Sequence, residues 1–321
     1  MESLFAVTRA VHFLAAIGAF GELAFFLLIR SRAAALYSPI AGDSMPMRRV
    51  AELAGSWLAL AVLSGALWFV LEAANMSGLP IPQAAHRDTL MTVAVQTSFG
   101  RLWCVRCALA IALAIALASV AAARRDAAQR TTAAAGFLLS AALLASLAWT
   151  GHANAEEGAA RLVHRTADAL HLIAVGAWIG ALLPLARRLG RARASTEPGE
   201  LDALATAVHR FSALAVAAVV IVLASGVVNA YFTVGSVAAL LASVYGRLLL
   251  FKLAGVAAML TLAVVNRTRQ TPRLAAGNAA AAARLAAAAH LRRNTLAELA
   301  LAVLVLAIVG VLGLTAPAMG H

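Results

Sequence analysis

The chain is a succession of long apolar runs, separated by short segments that carry most of its charges. Eight runs reach about 20 residues, the length that a helix needs to cross the hydrocarbon core of a bilayer. Their approximate bounds are 4–29, 50–74, 98–122, 131–150, 163–186, 207–232, 244–266 and 295–316. Runs of Ala, Leu and Val favour helices over a barrel, because a helix satisfies its backbone polar groups within its own segment. The pattern predicts an all-α, polytopic membrane protein, a bundle of eight transmembrane helices forming a single domain over residues 1–321.

The composition agrees with this prediction. Hydrophobic residues make up 63% of the chain and charged residues only 12%, against about 25% charged residues in a typical soluble domain. A soluble globular protein and an intrinsically disordered one are therefore excluded. The formal net charge is +12, so the position of the arginines decides what the charge means.

The arginines are distributed unequally between the two sides of the predicted bundle. The loops after the first, third, fifth and seventh helices hold 18 of them, and the opposite side holds six. The excess predicts that the arginine-rich loops are cytoplasmic and that both termini are periplasmic. The basic charge then indicates topology and contact with anionic membrane lipids, and no nucleic-acid partner. We expect the Ala-rich segment 273–293 to be a separate cytoplasmic helix lying on the membrane surface. No internal repeat is evident.

The fifth helix carries the most informative polar pattern. His164, Asp168 and His171 are spaced i, i+4 and i+7, so they share one helical face. Ionisable groups at membrane depth usually face a bundle interior or a wet cavity. Histidine is the commonest metal ligand, and a carboxylate often orients it. We predict that His164 and His171 are metal ligands and that Asp168 supports them. In the alternative, only His171 is buried and a serine or a backbone carbonyl satisfies it.

Three further residues complete the candidate set. Two are histidines near the outer side of the membrane, and the third is a glutamate deeper in the first helix. His12 lies on the first helix, a short distance in from the outer surface, and is either a ligand or a packed interfacial residue. His152 lies in an outer loop close to His164 in sequence and could capture a metal. Glu22 lies ten residues deeper than His12 and must be protonated, paired or hydrated, so it is a candidate relay for metal or protons.

Cys104 and Cys107 form a C-x-x-C on the third helix. Thiolates prefer soft metals such as Cu(I), and the i, i+3 spacing puts both sulfurs on one face, so the pair is a candidate metal site. Free cysteine is equally a common small core residue. The chain has no P-loop and no Gly-rich dinucleotide motif, so we expect no ATP-driven pump and no enzyme.

An ordered set of motifs runs through the C-terminal third of the chain: Arg210-Phe211-Ser212, Ser225-Gly226-Val227-Val228-Asn229, Tyr245-Gly246-Arg247, Lys252, Asn266-Arg267, Arg292-Arg293 and Glu298. Further upstream stand Gln96 to Arg101 and His171-Leu172 with Gly176, Trp178, Gly180 and Pro184. With these motifs the chain resembles the copper resistance protein D family of bacterial inner-membrane proteins. The resemblance covers most of the chain and is strongest over 163–317. The resemblance implies an eight-helix protein that moves or handles copper, often beside a small periplasmic copper-binding protein, and it does not extend to the two cysteines.

The leading hypothesis is copper transport across the inner membrane. Copper from a periplasmic partner would be captured by His152 and His164 and bound within the bundle by His12 and His171. A b-type haem electron carrier is the alternative, with haem b ligated by His12 and His171 across an apolar slot. A third possibility is a membrane anchor that only docks a periplasmic copper-binding protein.

Overall fold

The computed structural model describes residues 1–29, 47–123, 126–150, 158–191 and 198–316. Within these ranges the chain forms helices and short turns, without a β-strand. Eight helices are long and apolar enough to cross a membrane, which confirms the predicted architecture. They are α1 Glu2–Ala24, α2 Met47–Ser77, α3 Ser98–Ala122, α4 Asp126–Ala145, α5 Gly158–Arg191, α6 Pro198–Val234, α7 Val244–Val265 and α8 Ala281–Leu312.

The prediction that 273–293 is a helix separate from the bundle is wrong. Residues 281–293 form the first turns of α8, which runs without a break to Leu312. Arg284 explains why a basic segment can be part of the bundle, since it is buried and donates hydrogen bonds to the Leu274 carbonyl (2.8 Å) and to Asp202 (2.6 Å). Packing satisfies its charge, so the helix does not have to lie at the surface.

Helices α1 and α5 are the most buried helices and form the centre of the bundle. Their backbones meet at Gly21 and Gly180, where a Cβ atom on either residue would overlap the backbone of the other helix. A second close approach occurs at Gly310 of α8, which faces the Ala6 carbonyl of α1. Small residues let membrane helices approach in this way. Helix α7, by contrast, turns most of its residues outward.

The bundle has two distinct ends. Because the number of membrane helices is even, the first residues of α1 and the last residues of α8 lie at the same end, which we name the terminal end. The opposite end is named the arginine-rich end. Between the two ends the outer surface carries exposed apolar side chains such as Leu63, Ile111, Leu138 and Val227, as lipid contact requires.

The bundle is built from two similar halves, α1–α4 and α5–α8. A short helix precedes both α3 and α7, Arg87–Gln96 and Val237–Ala242 respectively. The hydroxyl groups of Thr97 and Ser243 then cap α3 and α7, each accepting from the amide of the residue three positions on at 2.9 Å. Each hydroxyl also donates to the carbonyl four residues back at 2.7 Å.

The sequences around these caps align residue by residue. Thr97-Ser98-Phe99-Gly100-Arg101-Leu102 corresponds to Ser243-Val244-Tyr245-Gly246-Arg247-Leu248. Four helices per half give two copies with the same orientation in the membrane, which is the arrangement of a parallel repeat about an axis along the membrane normal. Gly21 and Gly180 lie nine residues after His12 and His171 respectively, so the axis passes where these equivalent glycines meet.

Candidate functional site

The polar stripe on α5 lies against a matching stripe on α6, near the terminal end. The His164 ring is buried and stacks on Phe232 with centroids 4.8 Å apart and planes 10° apart. One turn deeper, Asp168 accepts a hydrogen bond from Asn229 Nδ2 at 3.1 Å. The predicted common face is therefore real, and α6 supplies its partners.

His171 continues the stripe one turn below Asp168. Its Nδ1 lies 3.0 Å from the hydroxyl oxygen of Ser225. Ser225 uses its own hydrogen to bind the Ile221 carbonyl at 2.5 Å, so its oxygen accepts from His171 Nδ1. This arrangement fixes the tautomer and leaves the lone pair of Nε2 available to a metal. His171 thus has the serine partner of the alternative interpretation, and its ring also hydrogen-bonds the Val222 carbonyl.

Two further groups shape the charge of this site. Lys252 of α7 interacts electrostatically with Asp168 and with His171, so the site already contains one cation. Asn229 Oδ1 is buried and has no hydrogen-bond partner among the described residues. A buried acceptor without a donor is costly, so this atom favours a cation or a hydrogen-bond donor beside it.

His12 lies in a different environment, between α1, α2 and α3. Its Nδ1 donates to the Ala61 carbonyl at 2.9 Å and lies 3.3 Å from the Ser64 hydroxyl. Its ring contacts Trp68 and Trp103, with centroids 5.4 Å and 5.9 Å away. His12 is therefore both packed and hydrogen-bonded.

Two arginines flank this aromatic cluster. The Arg9 guanidinium lies 4.8 Å from the Trp68 ring centroid, and the Arg106 guanidinium lies 5.2 Å from that of Trp103. Both arginines interact electrostatically with His12. A copper ion on His12 would be repelled by both positive charges, so this histidine is a poor cation ligand.

The two histidine sites are equivalent positions of the repeat. Each histidine contacts a serine on the next helix, and the glycine after that serine faces the ring. The correspondence pairs His12 with His171, Ser64 with Ser225, Gly65 with Gly226, Trp68 with Asn229, Arg106 with Lys252, and Arg9 with Asp168. The scaffold is the same, but the residue three positions before the histidine changes from a cation to an anion.

The haem alternative is not supported by these contacts. Axial ligation needs two imidazoles that face each other across one slot. His12 lies against α2 and α3, whereas His171 lies against α6, so each ring has its own set of neighbours.

The remaining predicted site residues are not gathered around these histidines. Cys104 and Cys107 are exposed on α3, and only Cys107 reaches the cleft between α2 and α3. His152 lies outside the described residues. Within the described ranges, no three His, Cys, Asp or Glu side chains are grouped closely enough to hold a metal ion together.

Glu22 is paired, one of the three states expected for it. Its buried carboxylate forms an ion pair with Arg187 of α5 and accepts a hydrogen bond from Trp57 of α2. Trp57 also packs on Gly18. The carboxylate therefore ties together three helices near the arginine-rich end.

A cavity of about 180 Å³ lies among α5, α6, α7 and α8, nearer the arginine-rich end. It is lined by Trp178, two turns below His171 on the same face of α5, and by Glu298 of α8. Glu298 is buried and accepts a hydrogen bond from Asn266 at 2.9 Å. The described partner of this carboxylate is therefore a neutral amide. The sequence pattern does not single out Glu298 as a site residue, because Asn266 is 32 residues away.

Comparison with known proteins gives two family matches along the chain. The model described as the N-terminal domain of copper resistance protein D-like proteins matches residues 1–162, and that described as copper resistance protein D matches residues 205–312. Copper resistance protein D of Pseudomonas syringae pv. tomato is 34% identical over 301 residues, covering 92% of each chain. This chain belongs to the copper resistance protein D family. The family assignment confirms the resemblance found in the sequence and a multi-pass protein of the inner membrane.

Two other relatives in the family match more than half of this chain. Inner membrane protein YebZ of Escherichia coli is 34% identical over 181 residues, which is 56% of this chain and 58% of YebZ. Copper transport protein CutJ of Bacillus subtilis is 31% identical over 181 residues, 56% of this chain and 31% of CutJ. No solved structure matches the chain. Two of these three names describe copper resistance or copper transport, whereas that of YebZ describes only an inner membrane protein.

The bounds of the two family matches can be compared with the two halves of the bundle. The first ends at residue 162, in the first turns of α5, and the second begins inside α6. Most of α5, with His164, Asp168 and His171, lies between them. The α6 and α7 partners of that stripe, Ser225 and Lys252 among them, lie within the second match.

Proposed function

We propose that this protein carries copper across the inner membrane, from the periplasm towards the cytoplasm, along the interface of α5 and α6. The observation that carries the proposal is the stripe of His164, Asp168 and His171, which faces α6 near the terminal end. Imidazole nitrogens and a carboxylate are ordinary copper ligands. The names of the relatives support copper as the cargo.

Copper would pass between neighbouring ligand pairs. Side chains one turn apart on a helix have Cβ atoms about 5–6 Å apart, close enough to share an ion, whereas i, i+7 positions are about 10 Å apart. Asp168 can therefore act with His164 or with His171, and it would transfer the ion from one to the other. Lys252 would neutralise Asp168 while the site is empty.

Below His171 the path would continue to the cavity lined by Trp178 and Glu298. The buried Glu298 carboxylate has only an amide partner among the described contacts, so it can accept a cation or a proton at the arginine-rich end. We leave His12 out of this path because Arg9 and Arg106 oppose a cation there.

The proposal includes the side assignment and the partner. The arginine distribution supports a periplasmic location of the terminal end, and His164 would then be the first of the three residues that incoming copper meets. A periplasmic copper-binding protein would deliver the ion, with His152 in the adjoining loop as a further candidate ligand. The arginine-rich end would contact anionic lipids of the cytoplasmic leaflet.

The test is copper uptake into proteoliposomes and copper stoichiometry of the purified protein. His171→Ala should abolish tight copper binding and uptake while the protein remains inserted and monodisperse. His86→Ala is the matched control, since His86 is an exposed histidine that precedes the short helix Arg87–Gln96. Full copper occupancy in His171→Ala, together with loss in His86→Ala, would overturn the proposed path.

A further inference from the structure

The N-terminal half contains three buried donors without acceptors. Arg9 Nε, Trp68 Nε1 and Arg106 Nη1 are each shielded from solvent and have no hydrogen-bond partner among the described residues. The side chains that carry them are 9%, 1% and 3% exposed. Such donors are uncommon in native proteins and each one needs an explanation, so three of them on neighbouring side chains favour an acceptor beside them.

The three donors belong to one cluster. Both guanidiniums lie over the Trp68 ring, Arg9 at 4.8 Å and Arg106 at 5.9 Å from its centroid. The two arginines are close enough to repel each other electrostatically. Two like charges held together inside a membrane protein need a compensating charge.

The described protein supplies only part of that compensation. Glu72 interacts electrostatically with Arg9. Arg106 has neutral partners, since it donates from Nε to the Ser146 hydroxyl (3.1 Å) and from Nη2 to the Ser146 carbonyl (2.8 Å) and the Thr150 hydroxyl (3.2 Å). These bonds hold the guanidinium in place and leave its charge and Nη1 uncompensated.

The cluster borders a cleft between α2 and α3. This cleft of about 860 Å³ is lined by Arg106, His12 and Trp103, and otherwise mainly by apolar side chains, with the carboxylate of Glu52 farther along α2. An anion in the part of the cleft beside Arg106 would contact its guanidinium.

The positively charged cluster beside His12 has no counterpart at the equivalent positions of the C-terminal half. At the equivalent position in the C-terminal half, Asp168 replaces Arg9. Asn229, with an acceptor that lacks a donor, replaces Trp68, with a donor that lacks an acceptor. The two sites share one scaffold but favour opposite ligands. A cation or a hydrogen-bond donor is favoured beside His171, and an anion or an acceptor is favoured beside His12.

We infer that the N-terminal half binds an oxyanion of the phosphate class, held by Arg106 and by the positive field of Arg9 beside His12. Arg106 is suited to this role because its Nη1 has no other partner among the described residues, and a hydrogen bond from a charged guanidinium to a phosphate oxygen is stronger than one between neutral groups. The oxyanion is either free phosphate or the phosphate of a lipid headgroup. The inference does not depend on the copper path, because none of its residues belongs to that path.

The test uses the full-length protein in nanodiscs of zwitterionic phosphatidylcholine, titrated with inorganic phosphate. Intrinsic fluorescence is a direct readout because Trp68 and Trp103 flank the site. We expect saturable binding that Arg106→Gln weakens by about tenfold or more, as expected for loss of a charged hydrogen-bond donor. Arg106→Lys should retain part of the affinity, and lysine is the residue that the C-terminal half carries at this position.

A second measurement distinguishes the two sources of phosphate. Native mass spectrometry of protein purified in mild detergent should show a bound anionic phospholipid if the headgroup is the ligand, and Arg106→Gln should remove it. Lys252→Gln, which neutralises the equivalent charge of the other half, is the matched control and should leave either ligand bound. If inorganic phosphate and phospholipid both bind wild type and Arg106→Gln equally, or neither binds wild type, the inference is wrong.

Discussion

Gly21 of α1 and Gly180 of α5 contact each other backbone to backbone, and they occupy equivalent positions in the two halves of the chain. A residue that touches its own counterpart marks the axis that relates the halves. The two histidine sites lie on either side of this contact, nine residues earlier in each helix. The tight contact between the two glycines therefore fixes the distance between the two histidine sites.

Substitution at this contact should loosen the centre of the bundle. A methyl group in Gly21→Ala overlaps the Gly180 backbone, which cannot move aside as a flexible side chain could, and overpacking of this kind costs about 1–3 kcal/mol. Gly55→Ala is the control, because no atom lies within 4 Å of its added Cβ. Thermal unfolding in detergent should show a lower midpoint for Gly21→Ala alone. Equal midpoints for the two variants would contradict the contact.

The sequence was sufficient to predict the membrane helices and the polar face of α5. Both follow from local spacing, namely 20-residue apolar runs and the i, i+4, i+7 positions of His164, Asp168 and His171. The partners of that face could not be predicted, because Ser225, Asn229 and Phe232 are more than 50 residues away and their register against α5 depends on packing. The start of α8 was misplaced for a related reason, since tertiary contacts satisfy Arg284.

The repeat was missed because little of it survives in the sequence. The clearest trace is the six-residue segment at Thr97 and its counterpart at Ser243, and these segments differ at three of six positions. At the histidine sites the exchange of Arg9 for Asp168 reverses the charge, so a comparison of residue types scores the two sites as unrelated. Only the matching contacts of His12 and His171 reveal the common scaffold.

Asp168 offers a graded test of the copper site. Asp168→Asn keeps the shape and the bond to Asn229 but removes the charge, so copper affinity should fall by about 10- to 100-fold, as for other residues that support a ligand. Asp168→Arg introduces the charge that the N-terminal half has at this position, and it should abolish binding. Copper titration of purified variants is the measurement. Equal affinities for wild type and Asp168→Arg would remove Asp168 from the site.

The Glu22–Arg187 ion pair can be tested by a double-mutant cycle. If Glu22 mainly holds α1 to α5, then Glu22→Gln and Arg187→Gln should each destabilise the protein. The double variant should be destabilised by less than the sum, with a coupling energy on the order of 1 kcal/mol, since Arg187 is partly exposed. Transport should survive at temperatures where the variants stay folded. Normal stability with lost transport in Glu22→Gln would instead support the relay role.

The two cysteines lie outside the proposed path. Both are exposed on α3, whereas the path uses α5 and α6, so Cys104→Ser with Cys107→Ser should leave copper uptake within about twofold of wild type. The measurement is uptake by proteoliposomes under reducing conditions. A tenfold loss, with unchanged insertion, would show that copper passes a thiolate site on α3.

The side assignment underlies the direction of transport, and fusions with alkaline phosphatase test it. The enzyme is active only after export, because its disulfides form in the periplasm. A fusion after residue 316 should be active, and a fusion at residue 194, after α5, should be inactive. The expected contrast follows from the 18 arginines in the loops at the arginine-rich end against six on the other side, since positively charged loops resist export. A β-galactosidase fusion at the same two positions is the control and should give the opposite pattern, because that enzyme works only in the cytoplasm. If the phosphatase is active at residue 194 and inactive after residue 316, then His164 faces the cytoplasm and the proposed path would carry copper outward.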